Sequence, residues 1–120
     1  MSLREVFTAE VPLDIIETKE FSEWAENLEG SDLDRLEAAI EKIELFGIIT
    51  NSKSLGDGLY EKKWKNGLRM YFSVILGDAR GETLLLLGSR KGRQQERAVA
   101  ECRQMLRCFR VYKGSIRKID

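Results

Sequence analysis

Apolar side chains along this chain change their spacing about halfway. Phe21, Trp24, Ala25 and Leu28 occupy i, i+3, i+4 and i+7, and Leu33, Leu36, Ile40 and Ile43 form a second stripe of helical period. Thr18 stands where an N-cap belongs, Gly30 separates the stretches, and Ser31 with Asp34 resembles a capping box with Asp in place of Glu. Gly47 stops the second helix. Two amphipathic stretches joined by a short turn predict an αα-hairpin. Ahead of them, residues 13–17 lean towards β-structure, and residues 1–12 form an N-terminal extension of weak periodicity.

From residue 56 onward the period falls to two. Gly56-Asp57-Gly58 marks a turn, residues 59–65 read as a polar strand, and Asn66-Gly67 is a strong hairpin signal. In the return strand, 68–76, Leu68, Met70, Phe72, Val74 and Leu76 share one face; Arg69, Tyr71 and Ser73 share the other. Residues 77–81 make another turn. Leu84 to Leu87 are continuously apolar, as in a strand covered on both faces. Residues 94–109 predict a last helix with Val99, Cys102, Leu106 and Phe109 on one stripe, and residues 111–120 form a basic tail. The order β-α-α-β-β-β-α predicts one α+β domain over 1–120, with an antiparallel meander, an N-terminal αα-hairpin and a C-terminal helix. Its 120 residues suit a single core.

Composition sharpens this picture in one respect. Twenty basic and twenty acidic residues cancel, yet residues 1–60 carry 5 basic against 14 acidic side chains and residues 61–120 carry 15 against 6. Such asymmetry suits a molecule with one face turned to a polyanion. No apolar run is long enough to cross a membrane, and residues 1–10 lack a signal-peptide core, so a cytoplasmic protein without a membrane partner is expected. Cys102 and Cys108 are expected to be reduced packing residues. The absence of histidine excludes imidazole bases and histidine metal sites, leaving Lys, Arg, Tyr, Asp and Glu for any catalysis; neither metal nor cofactor is expected.

The cations cluster by position. Lys63 and Lys65 share one face of the first hairpin strand, Arg69 and Tyr71 lie across the turn, and the last strand runs into Gly88-Ser89-Arg90-Lys91-Gly92-Arg93. If these strands are neighbours, Lys63, Lys65, Arg69 and Arg90 gather on one concave patch near Tyr71, whose ring offers a surface for a base. Trp64 has the opposite parity and belongs to the core. A basic edge strand also guards against edge-to-edge pairing, an equal explanation for Lys62, Lys63 and Lys65. Arg69, flanked by apolar residues in a central strand, needs a partner or a ligand.

The ordered set Gly58-Leu59-Tyr60-Glu61, Asn66-Gly67-Leu68-Arg69-Met70-Tyr71-Phe72 and Leu84-Leu85-Leu86-Leu87-Gly88-Ser89-Arg90-Lys91-Gly92-Arg93-Gln94 resembles the RelE/ParE toxin superfamily, especially its HigB-like addiction module killer branch. The resemblance spans about residues 13–110. It implies a RelE-like fold and the toxin half of a type II toxin–antitoxin system: an mRNA endoribonuclease (an mRNA interferase) acting at the ribosome, with a cognate antitoxin, mRNA and the ribosome as partners. It further implies catalytic roles for Lys63, Arg69 and Arg90, with Lys65, Tyr71, Lys91, Arg93 and Gln94 binding nucleic acid. Arg69 and Arg90 would clamp the scissile phosphate; Lys63, or Glu61 on the same strand face, would be the base. Departures exist: Lys62-Lys63 replaces the branch's usual Leu-Arg, Ser89-Arg90 replaces Gly-Asp, and Gln95 and Glu96 stand where some members have a Tyr or His. A ParE-like gyrase inhibitor and an inactive, antitoxin-binding relative are the alternatives on the same fold.

Overall fold

The computed structural model describes residues 6–8, 13–76 and 81–114, with side chains for 13–74 and 81–108. Outside the described residues lie most of the 1–12 extension, the turn at 77–80, the end of the basic tail and the side chain of Phe109. The elements are β1 (Val6–Thr8), β2 (Leu13–Glu17), α1 (Lys19–Glu26), α2 (Gly30–Phe46), β3 (Ile48–Thr50), β4 (Ser52–Gly56), β5 (Leu59–Lys63), β6 (Leu68–Leu76), β7 (Gly81–Arg90) and α3 (Arg93–Gly114). They form an α+β fold around a five-stranded sheet of order β2-β7-β6-β5-β4, with β1 and β3 paired separately.

The sheet is mixed, a correction to the antiparallel expectation. The run β4–β5–β6–β7 is an antiparallel meander, but β2 pairs parallel with β7, Leu13 opposite Gly81 through Glu17 opposite Leu85. Parallel neighbours need a long crossover, and here the helices and the whole meander intervene between them. β3 and β4 have no counterpart in the periodicity; they are short, and Asn51 between them takes a left-handed φ of 53° that breaks any alternation.

Helix starts and stops obey local chemistry. Thr18 Oγ1 accepts from the Phe21 amide at 2.9 Å and donates to the Leu86 carbonyl at 2.7 Å, capping α1 and pinning it to β7 at once. Gly47 ends α2 in the left-handed conformation, its amide donating to the Ile43 carbonyl. The Ser31–Asp34 box does not form. α2 begins two residues earlier, with Glu29 as its N-cap and no side-chain cap, and Ser31 Oγ accepts from Arg35.

Both faces of the sheet are covered. On one, Met70, Phe72, Leu85 and Leu13 pack with Phe21, Leu36 and Ile43 of α1 and α2. On the other, Leu59, Tyr71, Leu84 and Leu86 pack with Ala98, Cys102 and Leu106 of α3. This fits the apolar Leu84–Leu87 run, and it overturns the reading of the Arg69–Tyr71–Ser73 face as open to solvent. Cys102 is buried and Cys108 exposed, so only the first is a packing residue.

Candidate nucleic-acid interface

Cross-strand partners share a face of a sheet. On the α3 face, Lys53 lies opposite Glu61 and Glu61 opposite Tyr71, while Lys63 lies opposite Arg69 and Arg69 opposite Ser89. Two of the four cations expected to converge, Lys63 and Arg69, are therefore brought together.

Arg90 is not. It lies opposite Leu68, on the α1/α2 face, and its guanidinium pairs with Asp32 in the first turn of α2. The cause is a bulge. Tyr71 faces Leu87 whereas Phe72 faces Leu85, leaving Leu86 as an extra residue. Strict alternation from Leu84 would carry Arg90 onto the α3 face; the surplus residue puts Ser89 there instead. Arg90 holds the Asp32 carboxyl below the usual carboxylate range by hydrogen bonding, with Asn66 and Arg35 acting in the same direction.

Arg69 is 8% exposed, and its Nη1 donates to the carbonyls of Trp64 (3.1 Å) and Leu68 (2.9 Å), closing the hairpin from within; its Nε has no partner. Tyr71 is fully buried, its hydroxyl 3.1 Å from Ser89 Oγ, so it cannot stack on a base. Burial, the leading cause, pushes its phenol up to about 12. Glu61 is also buried. Its Oε2 accepts from Gln95 Nε2 at 2.6 Å, Lys53 approaches Oε1 at 3.9 Å, and Oε1 has no hydrogen bond. Nothing in the sequence marks Gln95 as the partner of Glu61, because the two lie 34 residues apart.

Lys62 differs from its basic neighbours in a way that residue type does not reveal. Its parity turns it to the α2 side, where its ammonium donates to the Thr50 carbonyl (2.7 Å) and hydroxyl (3.1 Å) and sits 4.8 Å from the Trp64 ring centre. Burial first, then the Lys42 charge, lowers its pKa to about 8. Trp64 packs on the α1/α2 core, as its parity required.

Outside this buried set, the hairpin turn meets the β7–α3 turn. The Lys91 amide donates to the Gly67 carbonyl at 2.8 Å. That hydrogen bond joins the turns that carry Lys65 and Lys91, both exposed, with half-exposed Lys63 at the end of β5 and exposed Arg93 and Gln94 opening α3. Among the described residues, no hydrogen bond or ion pair holds the side chains of Lys63, Lys65, Lys91 or Arg93. The arrangement is a cationic end of the sheet rather than a hollow on its face, suited to holding phosphates electrostatically.

No group of three or more Cys, Asp or Glu side chains among the described residues is placed to hold a metal ion. Nor is any described helix long and apolar enough to cross a membrane. Comparison of the chain with protein-family models, curated proteins and solved structures finds no match.

Proposed function

We propose that this chain is a RelE-like toxin of a type II toxin–antitoxin pair, acting as a metal-independent mRNA endoribonuclease at the ribosome. The cationic end of the sheet, where Lys63, Lys65 and Lys91 meet without acidic partners, is the observation that carries the reading. The order of elements from α1 to α3 and the sequence resemblance support it. In this scheme the 2′-hydroxyl oxygen attacks the adjacent phosphorus and gives its proton to solvent water, the P–O5′ bond breaks, and the leaving 5′-oxygen takes a proton from solvent. The products are a 2′,3′-cyclic phosphate and a 5′-hydroxyl. Lys63, Lys65 and Lys91 hold the strand and offset the charge that builds on the phosphoryl oxygens. Arg69 acts from beneath by fixing the hairpin that carries Lys63 and Lys65. Neither Arg90 nor Tyr71 is assigned a role in the reaction.

The test is cleavage of a translated mRNA by the purified protein, alongside the Lys63→Ala/Lys65→Ala/Lys91→Ala variant. The wild type is expected to cut. The variant is expected to bind RNA with a log–log salt slope smaller by roughly 2, at about 0.7 for each phosphate no longer neutralised. Intact message, or equal salt slopes, would overturn the proposal.

A second reading, a non-enzymatic binder such as a gyrase inhibitor, draws on one observation. Arg69, Tyr71 and Glu61 are buried and bonded within the protein, and Arg90 is paired with Asp32 at the surface, so among the described residues these four form no convergent acid–base set. Loss of gyrase supercoiling on adding the protein, with mRNA left whole, would favour it.

A further inference from the structure

Beyond its pairing with β2, which stops at Leu85, β7 runs on to Arg90 with, among the described residues, a strand on one side only. A cavity of about 360 Å³ opens along that free edge, between Leu87-Gly88-Ser89 and the first turns of α3, lined there by Arg93, Gln94 and Arg97, with Glu101 further along the helix. Its size is that of a small-molecule site.

Its pair of arginines marks it as a place for an anion. Arg35 and Arg90 bind Asp32, Arg69 binds backbone carbonyls, Arg103 binds the Leu55 carbonyl and Asp57, and Arg107 binds Gln104. Among the described residues, Arg93 and Arg97 are the arginines left without such a partner, and both line this one cavity. They stand one helical turn apart, about 6 Å along the axis, so both guanidinium groups can reach one phosphate. Neutral groups complete the wall: the backbone of Gly88, the side chain of Leu87 and the amide of Gln94. Glu101, a further turn on, places an acceptor where hydroxyl or amino groups of the same ligand would fall.

We propose that this cavity binds a ribonucleoside monophosphate, free or as the terminal nucleotide of an RNA strand, with its phosphate on Arg93 and Arg97 and its sugar hydroxyls towards Glu101. The site adjoins the cationic end of the sheet, with which it shares Arg93, and its occupancy does not depend on whether the protein cleaves RNA.

Titration calorimetry of the full chain with 5′-AMP, 5′-GMP, 5′-CMP and 5′-UMP tests this directly, with adenosine and inorganic phosphate as part-ligands. Saturable binding of at least one nucleotide is expected, at least tenfold tighter than either part. Arg97→Ala should weaken it tenfold or more, while Arg107→Ala, on a later turn of α3, should not. Competition by a short RNA bearing a 5′-phosphate, but not by the same RNA without it, would identify an RNA end as the source; competition by neither would identify the free nucleotide. No saturable binding at millimolar nucleotide, or equal binding by the wild type and Arg97→Ala, overturns the proposal, even if mRNA cleavage is found.

Discussion

The two faces of the sheet are equally buried and differently made. Towards α1 and α2 the strands offer Met70, Phe72 and Leu85 to an apolar core, and cations appear only beside it: Lys62 under Trp64 and Arg90 against Asp32. Towards α3 the same strands bury Glu61, Arg69, Tyr71 and Ser89 next to Leu59, Leu84 and Leu86. Polar groups out of water must be bonded, and most of these are, yet Glu61 Oε1, which Lys53 approaches only at 3.9 Å, and Arg69 Nε make no hydrogen bond. The apolar face sets stability with tolerance only for volume. The polar face fixes orientation, because its bonds reach between elements: Gln95 to β5, Tyr71 to β7, and Arg69 to Trp64 across the hairpin.

The largest effect expected from breaking this contrast is at Gly88. A Cβ built there would sit 2.2 Å from atoms of the Trp24 ring, so Gly88→Ala forces α1 or the indole to move. Overpacking of this kind costs about 1–3 kcal/mol, read as a fall in the urea midpoint with a change in tryptophan fluorescence. An unchanged midpoint would mean that the α1 side packs loosely. Tyr71→Phe probes the opposite face and removes only the hydroxyl bonded to Ser89. The expected loss is about 0.5–1.5 kcal/mol, with the apolar packing kept.

The smallest effect at neutral pH, and the most diagnostic in its pH dependence, belongs to Lys62. With its pKa lowered to about 8 from 10.5, the unfolded chain binds this proton more tightly than the folded one. Its contribution is therefore a penalty that is full below pH 8 and relieved as pH rises from about 8 to 10.5. Tyr71 and Cys102, both pushed up to about 12, act in the opposite direction above their unfolded values of 10.0 and 9.0. The difference in unfolding free energy, wild type minus Lys62→Met, should isolate the lysine and climb through pH 8–10. A flat difference would show that the ammonium is solvated.

Much of the scaffold is legible because local rules are obeyed. Thr18, Gly47, the Asn66-Gly67 turn and the alternation of 68–76 each act through their own backbone, and each lies where the pattern puts it. Alternation tells which residues share a face but not whether that face is covered, so Tyr71 resembles a platform for a base and is in fact core. Parallel pairing of β2 is hidden because it depends on chain far away in sequence. The cationic end is half visible: Lys63, Lys65, Lys91 and Arg93 stand out by type, but the hydrogen bond from Lys91 to Gly67 that assembles them leaves no mark in composition. Arg97 carries no sequence signal at all beyond its spacing from Arg93.

The unmatched Leu86 gives length, rather than side-chain identity, control over which cations can work together. Were the bulge ironed out with every residue kept, the end of β7 would turn over and carry Arg90 from Asp32 to the face of Arg69, whereas excising Leu86 would close the ladder with Arg90 still opposite Leu68. A chain lacking the surplus residue would thus turn the same charges to the same faces, although its sequence beyond that point reads one position out of step.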